Sequence, residues 1–388
     1  MESITEDIIY LDYAATTPTD PRVVEAMLPF FTQKFGNAAS RTHAYGWEAE
    51  EAVKVARTQV ADLIGAKPEE IIFTSGATEA INLALKGVYE NYQAKGNHII
   101  TVATEHKAVL DTCYYLESQG ADVTYLPVDQ NGLISLEDLQ KAFTERTILV
   151  SVMYANNETG VIQPIAEIAD MARKHNALFM TDATQAVGKI PVDVLKDEID
   201  ILACSAHKLY GPNGVGALFV KSRFPRIKLI PHMHGGGHER GFRSGTLNTP
   251  AIVGFGKACE LAKLELKNES ERLLALRMEI EEGLKTIEKC RIHAQQANRL
   301  PTITNVYFEG IDAEALIIQL RDKLAVASGS ACTSAEVTPS HVLMEMYSDE
   351  DIAYSSVRLS FGHNTTHENI KSIVTSFEEA LSNITYNF

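Results

Sequence analysis

The sequence predicts an α/β protein with a large, doubly wound, mostly parallel sheet domain and a smaller α/β C-terminal domain. Three observations predict this. From about residue 69 to 220, short apolar runs alternate with helical patterns. Each run ends directly in polar residues. Beyond them, a long helical pattern leads into a second, shorter set of strand and helix candidates.

An early helix is read from the spacing of Ala49, Val53, Ala56, Val60 and Leu63. The first strand, Ile71-Ile72-Phe73, runs into Thr74-Ser75-Gly76. Ile99-Ile100-Thr101-Val102 runs into Thr104-Glu105-His106, and Ile148-Leu149-Val150-Ser151-Val152 precedes Asn156-Asn157-Glu158. Leu178-Phe179-Met180 precedes Asp182, and Ile201-Leu202-Ala203 precedes Ser205-Ala206-His207-Lys208. Runs this short and apolar suit parallel strands buried on both faces. Pro164 can open a helix with Ile165, Ile168, Ala169 and Ala172 on one side. In such sheets ligands bind beyond the carboxyl ends of the strands, where all these polar residues fall.

Leu273, Leu276, Ile280, Leu284 and Ile287 mark a long helix bridging into the smaller domain. That domain has strand candidates at 303–308 and 357–359 and a helix at 313–321. The expected division is 15–260 for the large domain and 261–388, with 1–14, for the small one. The small domain carries a loop of small residues at 328–335, from Ser328 through Cys332 to Ala335. Small side chains pack little, so this loop is expected to be mobile.

Composition narrows the function. Hydrophobic residues make up 45% of the chain, enough for a sizeable core. A net charge of −16 argues against direct grip on nucleic acid or an anionic membrane. The acidic start lacks a signal-peptide pattern, and no apolar stretch is long enough to span a bilayer, so a soluble cytoplasmic protein is expected. The five cysteines are scattered with no CxxC pair, which fits neither a disulfide framework nor a zinc site. His232, His234 and His238 lie in a glycine-rich loop without standard ligand spacing, so no metal is expected there.

Lys208 leaves a buried strand at the ligand-binding end, where its amine could form a Schiff base with an aldehyde cofactor. Alone it reads far more readily as a surface lysine. Asp182 ends the preceding strand and could keep a pyridine nitrogen protonated, though an Asp after a strand is also a common helix cap. Gly76-Ala77-Thr78 sits at a strand-to-helix turn whose free amides suit a phosphate, with Ser205 and His207 able to complete a cradle. His106 at a strand end could stack on a flat ring or shuttle a proton. Cys332 is an exposed thiol among small residues, a good sulfur shuttle. Cys113, Cys204, Cys259 and Cys290 lie in element patterns or beside element ends and read as buried or incidental.

With these residues in place, the chain resembles the NifS/IscS-type cysteine desulfurases, within the class V aminotransferase family of fold-type I pyridoxal-phosphate enzymes. The resemblance runs from about Tyr10 to Thr366. It is carried by Tyr10-Leu11-Asp12-Tyr13-Ala14-Ala15-Thr16-Thr17-Pro18, Thr74-Ser75-Gly76-Ala77-Thr78-Glu79, Thr104-Glu105-His106-Lys107, Asn156-Asn157-Glu158, Asp182-Ala183-Thr184-Gln185, Ser205-Ala206-His207-Lys208, Arg243-Ser244-Gly245-Thr246-Leu247 and Ser328-Gly329-Ser330-Ala331-Cys332-Thr333-Ser334.

The resemblance implies pyridoxal 5′-phosphate as cofactor, bound covalently by Lys208. It implies His106 on the ring, Asp182 on the ring nitrogen and Gln185 on the phenolic oxygen. Ala77, Thr78, Ser205 and His207 would hold the phosphate, with Thr246 reaching it from the second subunit of a homodimer. Asn157 and Arg358 would hold the carboxylate of L-cysteine. The implied products are L-alanine and a persulfide on Cys332, handed to an acceptor protein. Selenocysteine lyase or aminotransferase activity is the alternative, and a non-catalytic binding protein on the same fold is the other. Phe35-Gly36-Asn37-Ala38-Ala39-Ser40-Arg41 resembles the desulfurases of DNA phosphorothioation. The sequence ends at Phe388 soon after a helix at 373–381, whereas housekeeping iron–sulfur members carry a longer tail that helps dock a scaffold. The acceptor therefore stays open among an iron–sulfur scaffold, a tRNA-thiolation relay and a DNA-modification relay.

Overall fold

Alternate residues along each central strand enter two different apolar cores, so the main sheet is buried on both faces. Phe73, Phe179, Leu202 and Cys204 belong to one core, while Ile72, Leu178, Met180, Ile201 and Ala203 belong to the other. The computed structural model describes residues 8–222, 226–329 and 338–385. In chain order the strands are β1 (Ile9–Tyr10), β2 (Ile71–Thr74), β3 (His98–Val102), β4 (Asp122–Leu126), β5 (Thr147–Ser151), β6 (Leu178–Asp182), β7 (Ile201–Ser205), β8 (Gly216–Val220), β9 (Cys290–Ile292), β10 (Ile303–Phe308), β11 (Leu324–Ala325), β12 (Ala327–Ser328) and β13 (Ser356–Ser360).

The large sheet has seven strands in the order β2-β8-β7-β6-β5-β3-β4. β4, β3, β5, β6 and β7 run parallel, and β8 runs antiparallel to both its neighbours, β7 and β2. Helices cover both faces. Ala44–Ile64, Ile165–Lys174 and the first half of Thr249–Leu284 pack on one side through Val53, Ile168, Ala172 and Phe255. Ala77–Tyr92 and Lys107–Ser118 pack on the other through Ile81, Ala84, Val109 and Cys113. This is the doubly wound arrangement expected from the sequence.

Two strands of the large sheet had no counterpart among the sequence candidates. β4 is an edge strand whose residues are mostly half-exposed, so its apolar run is broken by Asp122 and Thr124. β8 opens on Gly216, where an added Cβ would sit 2.7 Å from the Gly76 Cα and 2.6 Å from the Cys204 oxygen. Glycine is what lets β8 lie against the turn at Gly76.

A third core gathers Leu11, Leu273, Leu276, Ile280, Leu284, Val306, Leu316, Leu359 and Phe377. Around it lie the antiparallel sheet β12-β13-β10-β9, the parallel pair β1-β11, and the helices Ala313–Leu320 and Asn369–Thr385. The long helix starts earlier than its sequence pattern, at Thr249, and ends at Leu284, so Ile287 lies beyond it. Its residues from Ala251 to Leu261 join the large core, and those from Leu273 join the small one. We propose a domain division within this helix, near residue 260, with the segment before residue 15 joining the small domain through Leu11. No helix among the described residues is long and apolar enough to cross a membrane.

Candidate active site

The carboxyl ends of β2, β3, β6 and β7 open onto one cavity of about 480 Å3. Its lining includes Ala77, Thr78, His106, Asn157, Asp182, Gln185, Ser205, His207, Lys208 and Arg358, each singled out in the sequence. Thr246 is exposed and does not line the cavity of its own chain. Cys332 lies outside the described residues.

Lys208 closes the short 3-10 turn Ala206–Lys208 that follows β7. Its Nζ donates to the backbone oxygens of Ala14 (2.6 Å) and Ala15 (2.5 Å). These carbonyls, supplied by the N-terminal segment, were not legible as site groups because a backbone oxygen has no signature in sequence. Burial, then the nearby Arg358 cation, lowers the Lys208 pKa from 10.5 to about 8. An amine so poised is a better nucleophile at neutral pH than an ordinary lysine.

The cradle forms where β2 turns into the helix Ala77–Tyr92. Thr74 Oγ1 donates to the Gly76 oxygen at 2.9 Å, and Glu79 Oε2 accepts from the Ser75 amide at 2.7 Å. Arg243 Nε holds Glu79 Oε1 at 2.7 Å. The first-turn amides have no intrahelical acceptor, so they are available to an anion. Beside this turn stands Ser205, at the end of β7, its Oγ 3.7 Å from where a Cβ on Gly76 would lie, and His207 follows in the same lining. Thr16 Oγ1 lies 3.1 Å from His207 Nδ1. Burial, then the Lys208 cation, lowers the His207 pKa to about 4, so its ring is neutral at physiological pH.

Asp182 ends β6 and is buried, with Oδ1 accepting from the Thr184 amide at 2.9 Å. The helix cap read as the bland alternative is not formed, because a turn and not a helix follows β6, and Asp182 closes an Asx-type turn there. It uses one carboxylate oxygen and leaves the other for the cavity. Gln185 Nε2 donates to the Ala14 oxygen at 2.9 Å. His106 caps the helix Lys107–Ser118, its Nδ1 accepting from the Ala108 amide at 3.1 Å. That bond fixes the neutral tautomer with the proton on Nε2.

Arg358 on β13, also in the lining, donates through Nη2 to Asp12 Oδ1 (2.7 Å) and through Nη1 to the Asn157 oxygen (3.0 Å). Its buried Nε has no hydrogen-bond partner among the described residues. Arg358 also lines a second cavity of about 540 Å3, with Asn157, Ser328 and Gly329. Next to Asn157, buried Glu158 accepts from Ser340 Oγ at 2.5 Å. An added Cβ on Gly329 would lie 2.2 Å from Glu158 Oε2, so the two stems of the cysteine loop meet at this carboxylate. Burial raises the Glu158 pKa to about 7. His341 Nε2 lies 2.9 Å from the Glu105 oxygen, which ties the later stem to the segment bearing His106. Glu158 was quoted only as part of Asn156-Asn157-Glu158, without a role, and Ser340 was not singled out, since their meaning depends on contacts between distant segments.

The four described cysteines are free thiols. Cys113, Cys204 and Cys259 are buried, and burial pushes the Cys113, Cys204 and Cys290 thiols up to about 12. None is a ready thiolate. The histidine- and glycine-rich loop docks structurally instead. Its Glu239 pairs with Arg57 (2.6 Å) and accepts from the Phe73 amide of β2 (2.8 Å).

These residues fit pyridoxal phosphate. An amine, a buried carboxylate, a helix N-terminus with hydroxyl and imidazole partners, and a flat-ring neighbour share one cavity. Thr184 Oγ1, also in the lining, is buried without a hydrogen-bond partner among the described residues, which suits it to a polar ligand.

Comparison with known proteins agrees with this geometry. The family model described as aminotransferase class-V matches residues 9–373. A protein named Cysteine desulfurase IscS, from Photorhabdus laumondii subsp. laumondii, is 52% identical over 97% of this chain and 93% of its own length. A solved NifS-like protein superposes with a TM-score of 0.90 at 39% identity, covering 97% of this chain and 99% of that one. The solved DndA from Streptomyces lividans gives 0.78 at 42% identity, covering 91% and 99%. The chain therefore belongs to the class-V aminotransferase family.

Proposed function

We propose that this chain is a pyridoxal-phosphate-dependent cysteine desulfurase, which converts L-cysteine to L-alanine and leaves the sulfur as a persulfide on Cys332. One observation carries the reading: Lys208, Asp182, Gln185, His106 and the helix N-terminus at Ala77 line a single cavity together with Arg358 and Asn157. The relatives named cysteine desulfurase, similar over nearly the whole chain, support it.

When bound, the cofactor supplies an electron-withdrawing ring that makes the substrate α-carbon acidic. The residues do the rest. The first-turn amides of Ala77 and Thr78, with Ser205 and the neutral His207, anchor the phosphate. Asp182 holds a proton on the ring nitrogen. Arg358 offers its guanidinium fork to the substrate carboxylate beside Asn157. Lys208, its pKa lowered to about 8, is suited to take up the α-proton at Nζ once the substrate amine has displaced it. The Cys332 thiolate then attacks the substrate sulfur. A new S–S bond forms, the C–S bond breaks with its electron pair going to the substrate β-carbon, a proton adds there, and the proton held on Lys208 Nζ returns to the α-carbon to complete alanine.

The acceptor is a protein with a nucleophilic thiol, in iron–sulfur assembly, tRNA thiolation or DNA phosphorothioation. The working unit is a homodimer in which Thr246 serves the neighbouring phosphate. Phe31, Phe35, Tyr45 and Trp47, each more than half exposed, favour a covering subunit. Sedimentation at micromolar protein should give a dimer, and a monomer would contradict this.

Two measurements test the reaction. Borohydride reduction of the loaded protein and peptide mapping should place the cofactor on Lys208, and an adduct on another lysine would refute the assignment. L-Cysteine should yield alanine and sulfide in equal amounts under a thiol reductant. Turnover confined to selenocysteine would favour the lyase.

A further inference from the structure

Lys189 has no role in the reading above, yet it touches the site. Its Nζ donates to Gln185 Oε1 at 2.6 Å. Gln185 lines the main cavity and Lys189 does not. Lys189 lies behind it, facing a small cavity of about 30 Å3 shared with Lys208 and Tyr13. Among the described residues no carboxylate lies within ion-pair distance of it. Burial and the Lys208 and Arg358 cations press its pKa down to about 7. A lysine held in such surroundings costs stability, so its contact with Gln185 calls for a role.

A carboxamide has oxygen and nitrogen ends of nearly equal shape and can sit either way round. An ammonium only donates, and a carbonyl oxygen only accepts. With Nζ protonated, Lys189 therefore claims the oxygen end of Gln185. The Ala14 oxygen, 2.9 Å from Nε2, claims the nitrogen end. The two contacts agree on one orientation. Nε2 carries two hydrogens, and Ala14 takes one, which leaves the other for the cavity.

We propose that Lys189 is a positioning residue that fixes the Gln185 carboxamide so that it offers an N–H donor, and not a carbonyl, to the phenolic oxygen of the bound cofactor. The proposal rests on the pyridoxal-phosphate reading above. It implies that Lys189 acts only through Gln185 and only on a ligand that carries that ring oxygen.

The test is ligand uptake by the full-length apo-protein, followed by absorbance. The ligands are pyridoxal 5′-phosphate and its 3-deoxy analogue, which lacks the phenolic oxygen. Lys189→Met should weaken pyridoxal phosphate about 5- to 10-fold, the worth of one hydrogen bond, and leave the analogue within about twofold. Lys189→Arg should restore most of the loss. Lys189→Met placed on Gln185→Ala should add nothing, because the group it orients is gone. Equal loss for both ligands, additive losses in the double variant, or unchanged uptake by Lys189→Met would overturn the proposal. A wild-type protein that takes up neither ligand would instead overturn the cofactor reading beneath it.

Discussion

Lys208 donates its Nζ to the backbone oxygen of Ala14 at 2.6 Å across 194 positions of sequence, so the N-terminal segment holds the amine at the cavity floor. This amine sits where burial strips its solvation and Arg358 repels its charge, and its pKa falls to about 8. Competitive labelling of the apo-protein should show Lys208 reacting with a midpoint near pH 8, against 10.5 for an ordinary lysine. Arg358→Gln should move that midpoint upward. A wild-type midpoint near 10 would contradict the account. The same shift has a signed effect on stability. Between pH 8 and 10.5 the unfolded chain binds more protons than the folded one at this group, so its contribution to apo-protein stability rises across that window.

Arg358 offers a second test. Its contacts with Asp12 and the Asn157 oxygen orient the guanidinium plane toward the cavity. Lysine keeps the charge and loses the fork. Arg358→Lys should raise KM for L-cysteine about 10- to 100-fold with cofactor absorbance unchanged, as expected for loss of a charge-assisted bond. Steady-state kinetics over a range of L-cysteine checks it, and an unchanged KM would remove Arg358 from the carboxylate site.

Glu158 makes the third prediction. Burial raises its pKa from 4.5 to about 7, with Ser340 only partly offsetting this. Between those values the folded state binds more protons than the unfolded one, so the stability contributed by Glu158 is full at low pH and is lost as pH rises through 7. Glu158→Gln cannot ionise. Relative to the wild type it should gain on the order of 3 kcal/mol in going from pH 4.5 to pH 8. Urea unfolding at the two pH values measures this, and parallel curves would refute it.

Much of the site was legible because its chemistry resides in side-chain type and strand-end position. Asp182, Ser205 and Lys208 follow apolar runs, and an apolar run that stops at a polar group is visible without coordinates. The resemblance added Gln185, Asn157 and Arg358, which spacing alone would not have selected. What stayed hidden was relational. The Ala14 and Ala15 oxygens on Lys208, Asp12 on Arg358, and Ser340 on Glu158 join segments hundreds of residues apart. β4 was hidden because an edge strand need not be apolar. The start of the long helix was hidden because its two halves face different cores, so no single stripe runs along it.

The central claim is that sulfur leaves L-cysteine on Cys332. Its most direct test is mass spectrometry of the loaded protein after a single turnover without reductant, followed by peptide mapping under non-reducing conditions. The account predicts one added sulfur atom on the peptide bearing Cys332, and in Cys332→Ala an intact cofactor absorbance with no persulfide. A persulfide that persists in Cys332→Ala, or that maps to Cys113, Cys204, Cys259 or Cys290, would contradict it.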